Sequence, residues 1–171
     1  MTPSPVLPDV LVPGLDIVFC GSAASAASAR LGAYYAGPGN KFWRTLHAVG
    51  LTPELLPPAD FQRLPDFGIG LTDMAKHASG GDAGLPAGAD DPGGLRARIE
   101  TCPPRILAFN GKRAAQVALA AWFGARHPGY GAQDHRLGAC AIHVLPSTSG
   151  AASGFWSIAP WQALARTVNA D

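Results

Sequence analysis

Two polar residues stand at the ends of short apolar runs, where an α/β protein places the side chains that do chemistry. Asp73 ends the run over residues 67–72, and Asn110 ends the run over residues 105–109. A carboxylate held in a pocket can orient a water molecule or take a proton from it. The carboxyl ends of strands face the ligand crevice of an open α/β sheet, so both residues are candidates for a catalytic role. The alternatives are structural: a helix N-cap for Asp73 and a turn position before glycine for Asn110.

A third stretch offers backbone groups rather than side chains. The apolar run over residues 17–20 ends at Gly21, a pattern that predicts a buried strand feeding a loop. Residues 22–28 carry almost no side-chain bulk, so their N–H groups can approach a ligand closely. This loop is therefore a candidate binding segment.

Aromatic residues and a glycine-rich turn follow this loop. Tyr34 and Tyr35 offer aromatic faces, either for stacking on a ligand or for packing in the core. The sequence Gly-Pro-Gly-Asn then precedes an apolar helix, for which Asn40 is a candidate N-cap. Residues 79–94 are rich in Gly, Pro and Asp and have no periodicity, which predicts either a mobile lid over a site or a surface insertion.

The elements that must hold these residues alternate between strands and helices. Strands are predicted near residues 16–20, 69–71, 105–109 and 140–145. Helices are predicted over residues 112–123 and 157–169, and residues 124–138 are interpreted as a connector. Long connections that contain helices indicate parallel strand pairing. The predicted fold class is α/β: a three-layer α/β/α sandwich around a central, largely parallel four-stranded sheet, with the flagged loops around one pocket.

Composition favours one well-packed domain. The chain has 171 residues, of which 47% are hydrophobic and 15% are charged, and its formal net charge is +1. That length is sufficient to bury a core without disulfide or metal staples. We expect a single domain over residues 15–171 and a flexible surface arm over residues 1–14, which four prolines interrupt. Because the arm lacks the basic region of a signal peptide and is interrupted by prolines, we expect neither a signal peptide nor a membrane span there.

Cysteine and histidine spacing gives no indication of a metal site. Cys20, Cys102 and Cys140 show no C-x-x-C spacing, and an odd number in apolar contexts favours reduced thiols in a cytoplasmic protein. His127 and His135 lack the i, i+4 spacing or the carboxylate companions of a metal site. We therefore expect no metal and no organic cofactor.

Four segments, taken in order and with their spacing, resemble a known family. They are IVFCG with YAGPGNKFW, DFGIGLTDMAK, ILAFNGKRAA and VLPSTSG. From Leu15 to the C-terminal helix, the chain resembles the uracil-DNA glycosylase superfamily, most closely its mismatch-specific uracil/thymine branch. That branch has a water-holding asparagine in its first loop and another asparagine in its late loop. This chain has Ala23 and Ser147 at those positions.

The resemblance implies a DNA repair enzyme that flips uracil out of DNA and hydrolyses its N-glycosidic bond, leaving an abasic site. Two alternatives stay open: a catalytically weakened protein that binds lesions or abasic sites, and a glycosylase for another deaminated base such as hypoxanthine. The implied partner is uracil-containing DNA, single- or double-stranded. We expect a monomer that acts without a membrane, in the cytoplasm and at a bacterial-type nucleoid.

The resemblance also assigns roles to residues of this chain. Catalysis by water positioning is assigned to Asp73, Asn110 and Ser147. Substrate binding is assigned to Gly21, Ser22, Ala23, Ala24, Tyr35 and Asn40. The backbone N–H groups of the first loop would stabilise charge on the departing base, as an oxyanion hole does, and Tyr35 would stack on that base. DNA binding is assigned to Arg30, Lys41, Lys112, Ser149, Gly150 and Ala151. Ala151 stands where the family inserts a leucine into the minor groove.

Overall fold

The computed structural model describes residues 4–170, along which strands and helices alternate. The strands are β1 (Ile17–Gly21), β2 (Ile69–Asp73), β3 (Ile106–Asn110), β4 (Gly131–Leu137) and β5 (Cys140–Leu145). The α-helices are α1 (Ala26–Leu31), α2 (Phe42–Ala48), α3 (Pro92–Thr101), α4 (Lys112–Phe123) and α5 (Ala159–Asn169). Short 3-10 helices cover Pro58–Phe67, Asp82–Gly84 and Gly150–Phe155. None of the described helices is long and apolar enough to cross a membrane.

The five strands form one sheet in the order β2-β1-β3-β5-β4. β2, β1, β3 and β5 run parallel, which confirms the predicted parallel pairing, and β4 runs antiparallel to β5. The predicted number of four strands is wrong, because residues 124–138 contain β4 as well as connecting loops. β4 is an edge strand in which only Leu137 is buried, so its sequence shows no apolar run. A tight turn that begins at Gly138, with φ of 58°, pairs it with β5.

Apolar side chains pack on both faces of the sheet, which gives the three layers that the sequence predicts. On one face α2 and α5 cover β1 through the rings of Phe19, Phe42 and Trp161, whose centroids lie 5.3 to 6.1 Å apart. On the other face α3 and α4 bury Leu95 and Ala115. Truncating a buried aromatic ring to alanine costs about 3–5 kcal/mol, so the three-ring cluster is a large contribution to stability.

The N-terminal segment, residues 4–14, packs against β2. Leu7 and Val10 in this segment are buried, and Val10 pairs with Leu71 as an isolated antiparallel bridge. The structure therefore differs from the expected surface arm, because these two apolar side chains occupy core positions beside the sheet. Residues 1–3 of the expected arm lie outside the described residues.

The register of the parallel strands brings the functional loops together. Gly21 at the end of β1 pairs with Asp73 at the end of β2. Asn110 at the end of β3 pairs with Leu145 at the end of β5. Because the carboxyl ends of parallel strands meet at one edge, the loops that follow all four strands meet there too.

Candidate active site

A cleft of about 760 Å³ opens at the carboxyl ends of the parallel strands. Its wall contains most of the residues that the sequence predicts for the site: Gly21, Ser22, Ala23, Ala24, Tyr35, Asn40, Asp73, Asn110, Lys112, Ser147, Ser149 and Ala151. The volume is in the usual range of small-molecule sites, about 300–1,000 Å³. The structure therefore brings together residues that are far apart along the chain.

Three residues predicted to contact DNA lie outside the wall of the cleft. Arg30 is exposed in the last turn of α1. The Lys41 ammonium donates to the Ser153 hydroxyl at 3.1 Å. Gly150 packs on the backbone before α2, since a Cβ built on it would lie 3.3 Å from the carbonyl oxygen of Gly39. Lys41 and Gly150 thus join the loop before α2 to the loop after β5.

Gly21 allows two functional side chains to converge. A Cβ at this position would lie 2.9 Å from Oδ1 of Asp73 and 3.1 Å from the Tyr35 hydroxyl. Both distances are shorter than ordinary van der Waals contact, so any larger residue would displace the carboxylate or the ring. The glycine that ends β1 is therefore needed for the shape of the site.

The first loop, residues 21–24, is tied to the segment after β2 through its carbonyl groups. The carbonyls of its first two residues accept hydrogen bonds from the Met74 and Ala75 N–H groups at 2.8 and 2.7 Å. Among the described residues, no hydrogen bond uses the N–H groups of Ser22 and Ala23. These two donors border the cleft and can serve a developing negative charge there.

The Asp73 carboxyl group lies at the end of β2 and is only 4% exposed. Burial raises its pKa from an ordinary value of 3.8 to about 6, and the nearby Lys76 ammonium limits that rise. Within the described residues, Arg98 bonds to the backbone carbonyl of Asp73, and no hydrogen bond uses the carboxyl oxygens. A carboxyl group with a pKa near neutrality has the property that a general base needs.

Three charged residues form a partly buried network behind Asp73. The Lys76 ammonium lies 2.8 Å from Oδ1 of Asp9 and donates to the Leu7 carbonyl at 2.8 Å. The Arg98 guanidinium donates to the backbone carbonyl of Asp73 at 2.9 Å, and its Nε lies 3.4 Å from Oδ2 of Asp9. Sequence reasoning missed this network. The one signal for it is Lys76 itself, a cation in a segment that is otherwise largely apolar.

Asn110 is engaged by Thr148 through both ends of its amide. Its Nδ2 donates to the Thr148 hydroxyl at 2.9 Å, and its Oδ1 accepts from the Thr148 N–H at 3.0 Å. Both side chains are buried. Asn110 therefore fixes the loop after β5 on the end of β3, with one amide hydrogen left for another acceptor.

Ser147 and Asn40 both support turns beside the cleft. The Ser147 hydroxyl accepts from the Ser149 N–H at 3.1 Å, and the Ser147 side chain is half-buried. The Asn40 Oδ1 accepts from the Phe42 N–H at 2.9 Å, at the first residue of α2. The N-cap of α2 is Lys41, one residue later than predicted, and Asn40 supports the start of the helix from the position before the cap.

Tyr35 combines an unusual backbone with a half-buried ring. Its φ of 54° is the only positive value among the described residues other than glycine. One face of the ring stacks on Phe42, with centroids 4.1 Å apart and planes at 30°. Its hydroxyl group is buried without a hydrogen-bond partner among the described residues, and burial raises its pKa. A base stacked on Tyr35 would use the face opposite Phe42.

Aromatic side chains lie close to two of the cations predicted near the cleft, and sequence reasoning identified only the cations. Lys112 and Tyr130 line the wall, whereas Lys41 and Trp156 lie outside it. The Lys112 ammonium lies 4.2 Å from the ring centroid of Tyr130. The Lys41 ammonium lies 5.6 Å from the ring centroid of Trp156. Phe155, which is 75% exposed, also lines the cleft. All three aromatic residues lie in or beside Gly-rich, irregular segments, where periodicity gives no signal.

The predicted lid segment, residues 79–94, reaches the cleft with its first part. Gly80, Gly81, Asp82 and Ala83 line the wall. The last part is anchored elsewhere, because Asp90 forms an ion pair with Arg113 of α4 at 2.8 Å. The segment thus borders the site, as the lid interpretation requires, and is held at its far end.

The described residues contain no group of three or more His, Cys, Asp and Glu side chains that could hold a metal ion. Cys20 is buried in β1, and burial raises the pKa of its thiol. The thiol is therefore protonated at neutral pH and has the chemistry of a core residue. The wall of the cleft offers carboxyl, amide, hydroxyl, cationic and backbone groups.

Comparison with known proteins agrees with this geometry. A family model described as the uracil DNA glycosylase superfamily matches residues 8–164. A solution NMR structure of a "putative Uracil DNA glycosylase from Methanosarcina acetivorans" is similar, with a TM-score of 0.65 and 26% sequence identity. The similarity covers 95% of this chain and 96% of that chain. The chain belongs to the uracil DNA glycosylase superfamily.

Proposed function

We propose that the protein is a monofunctional DNA glycosylase that extrudes uracil from DNA and hydrolyses its N-glycosidic bond, leaving an abasic site. The observation that carries this proposal is the convergence of a buried carboxyl group and backbone donors in one cleft. Asp73 lies beside Gly21, and the next two N–H groups of that loop are unoccupied among the described residues. Family membership supports DNA as the substrate, and the description of the similar Methanosarcina protein supports uracil as the base.

The proposed reaction needs a water molecule to attack C1′ while the C1′–N1 bond breaks. The electron pair of that bond leaves with the base, so negative charge develops on uracil. The N–H groups of Ser22 and Ala23 stabilise this charge, and they need no side chain to do so. Ionised Asp73 takes a proton from the attacking water. The chemistry is therefore compatible with alanine at position 23, where related enzymes have asparagine.

The environment of the lysines supports hydrolysis by water rather than attack by an amine. An amine nucleophile must be unprotonated and free to reach C1′. The Lys76 amine is held by the Leu7 carbonyl, the Tyr34 hydroxyl and the Asp9 carboxylate. The Lys112 amine lies over the Tyr130 ring. Neither amine is placed as a nucleophile, so no strand cleavage is expected after base removal.

Substrate extrusion accounts for the size of the cleft. An enzyme that acts at C1′ must move the nucleotide out of the stack, which costs a few kcal/mol and least in weak pairs or single strands. Tyr35 supports the extruded base by stacking, and the clamp of Asn110 on Thr148 keeps the opposite wall in place. Ser147 can orient the water molecule from the loop after β5.

The test is base release from labelled oligonucleotides that contain one uracil, hypoxanthine or thymine, followed by cleavage of abasic sites with alkali. We expect alkali-labile product from uracil without added metal. The Asp73→Ala variant, purified in the same way, controls for contaminating glycosylases. Product only from hypoxanthine would identify a glycosylase for another deaminated base. Tight binding of uracil or abasic oligonucleotides with no product would identify a lesion-binding protein, and either result would overturn the proposed function.

A further inference from the structure

Phe155 is the most exposed large apolar side chain in the described part of the chain, with 75% of its surface in solvent. It ends the 3-10 helix Gly150–Phe155 and lines the mouth of the cleft. Three other strongly exposed apolar side chains, Val12, Leu31 and Leu55, do not line the cleft. Single exposed apolar residues are ordinary on protein surfaces. Phe155 differs from the other exposed residues because it lies at the entrance of the proposed DNA site.

The residues around Phe155 suit a polyanion. The Lys41 ammonium donates to the hydroxyl of Ser153, two residues before Phe155, and lies 5.6 Å from the ring of Trp156, the next residue. Lys112 stands elsewhere on the same wall. Basic groups that neutralise phosphates position a protein on the duplex without reading its sequence. An aromatic ring beside them would therefore lie close to bound DNA.

The rest of the helix cannot supply bulk to the DNA. Its sequence is GAASGF, so Phe155 is its only large side chain. Extrusion of a nucleotide leaves a gap in the stack, and proteins stabilise distorted duplexes by inserting apolar wedges such as Phe, Leu, Ile or Met. Ala151 has a single methyl group and cannot fill such a gap.

We infer that Phe155 enters the base stack of duplex DNA and fills the space that the extruded nucleotide leaves. This inference rests on the proposed function, and it concerns a positioning residue that does not touch the reacting bond. The side chain that stabilises the opened duplex is thus assigned to the end of the helix rather than to position 151. The inference predicts that loss of Phe155 affects duplex and single-stranded substrates differently, because a single strand has no partner strand that would refill the gap.

Single-turnover excision by Phe155→Ala should therefore depend on the strandedness of the substrate. We expect the rate on duplex DNA to fall about tenfold or more, on the scale set by unstacking one base step. The rate on the same uracil strand without its complement should stay within about twofold of the wild-type rate. Phe155→Leu should recover most of the duplex rate, since it keeps an apolar side chain. Equal losses on both substrates, or no loss on either, would overturn the assignment.

A second measurement separates the wedge from the proposed activity. A duplex with an abasic-site analogue and an adjacent 2-aminopurine reports unstacking by fluorescence and needs no turnover. The wild-type protein should raise the emission on binding, and Phe155→Ala should not at saturating protein. If the wild-type protein raises the emission but releases no base, the proposed function fails and the wedge stands. If Phe155→Ala raises the emission as much as the wild-type protein does, the wedge is wrong whatever the activity.

Two control variants make the comparison specific. Leu55 is 59% exposed and does not line the cleft, so Leu55→Ala should behave as wild type on both substrates. Tyr130 is 40% exposed and does line the cleft, so Tyr130→Ala tests whether any aromatic residue of the rim would serve. We expect Tyr130→Ala to change both substrates by the same factor. A duplex-selective loss in Tyr130→Ala that exceeds the loss in Phe155→Ala would place the wedge on Tyr130.

Discussion

Asn110 and Thr148 hold each other through two hydrogen bonds, one from amide to hydroxyl and one from backbone N–H to amide oxygen. The pair connects the end of β3 to the loop after β5, and both side chains are buried. When one residue is replaced, a buried polar group of the other has no hydrogen-bond partner. The resulting loss of stability is larger than the average contribution of one hydrogen bond. The shape of the cleft therefore depends on a contact between residues that are distant in sequence.

Asn110→Ala and Thr148→Val should each lower the free energy of unfolding by about 1–3 kcal/mol, because each leaves a buried polar group without its hydrogen-bond partner. The double variant should be less destabilised than the sum of the two, with a coupling energy of about 0.5–3 kcal/mol. Urea unfolding of all four proteins measures this cycle. Strict additivity would show that the two residues act independently.

Asp73→Ala should reduce the single-turnover rate of uracil excision by about 10²–10⁴-fold, the usual contribution of a positioned general base. Ser147→Ala should stay within about tenfold, because its hydroxyl contributes at most one neutral hydrogen bond. Asp73→Asn is the sharper variant, since it keeps the shape but cannot take a proton. Full activity of Asp73→Asn would show that Asp73 reads the base, and a larger loss in Ser147→Ala would move the chemistry to the late loop.

The excision rate should rise with pH through about 6 and level off above it, because ionised Asp73 is the base. Lys76→Met removes a cation that lowers the pKa of Asp73, so the excision rate of this variant should rise at higher pH than that of the wild type. Asp9→Asn removes an anion that raises this pKa, so the excision rate of this variant should rise at lower pH than that of the wild type. Rate profiles of the three proteins measure the shifts. A purely structural role for the network would not move the two variants in opposite directions.

Burial of the Asp73 carboxylate should destabilise the protein above pH 6. The folded-state pKa of about 6 exceeds the ordinary value of 3.8, so protonation stabilises the fold fully below about pH 4 and this contribution is lost as the pH rises through 6. Asp73→Asn should therefore be more stable than wild type at pH 8, by up to about 3 kcal/mol, and equal to it near pH 4. Urea unfolding across this range measures the difference. The exposed Asp66→Asn is the control and should show no such trend.

Tyr35→Ala should lose about 1–3 kcal/mol of affinity for uracil-containing single strands, the usual scale of stacking between a base and an aromatic ring. Tyr35→Phe should keep that affinity, and it should not be less stable than wild type, because the hydroxyl that it loses is buried without a partner in the described structure. Fluorescence anisotropy and thermal unfolding measure the two effects. Unchanged affinity in a folded Tyr35→Ala variant would assign the ring to the core.

The sequence predicted the parts of the fold that depend on local pattern. Buried parallel strands form short apolar runs, so β1, β3 and β5 were recognisable, and their carboxyl ends located the pocket. β4 was missed because an exposed edge strand needs no apolar run. β4 forms because it pairs with the neighbouring strand across the turn at Gly138. This tertiary contact leaves no local pattern in the sequence.

The same distinction holds for the site. Asp73 and Asn110 could be predicted because each ends a strand, and the structure places both in the cleft. The contacts that support them could not be predicted, because Thr148 reaches Asn110, and Asp9 reaches Lys76, across the fold. A charge on the N-terminal segment has no periodicity that would link it to Lys76. Phe155 likewise lies in a segment whose composition indicates only a loop.

The attachment of the N-terminal segment to β2 links the chemistry of the cleft to the timing of protein synthesis. Asp9 is synthesised before Arg98, which leaves the ribosome only with α3. Until then, the carboxylate of Asp9 has one of its two cationic partners missing, and the surroundings of Asp73 are incomplete. The nascent chain thus acquires a titrating base only when the domain folds as a unit. For the same reason, a protease cut in the exposed stretch around residue 13 would free a segment that carries both Leu7 of the cleft wall and the charge of Asp9.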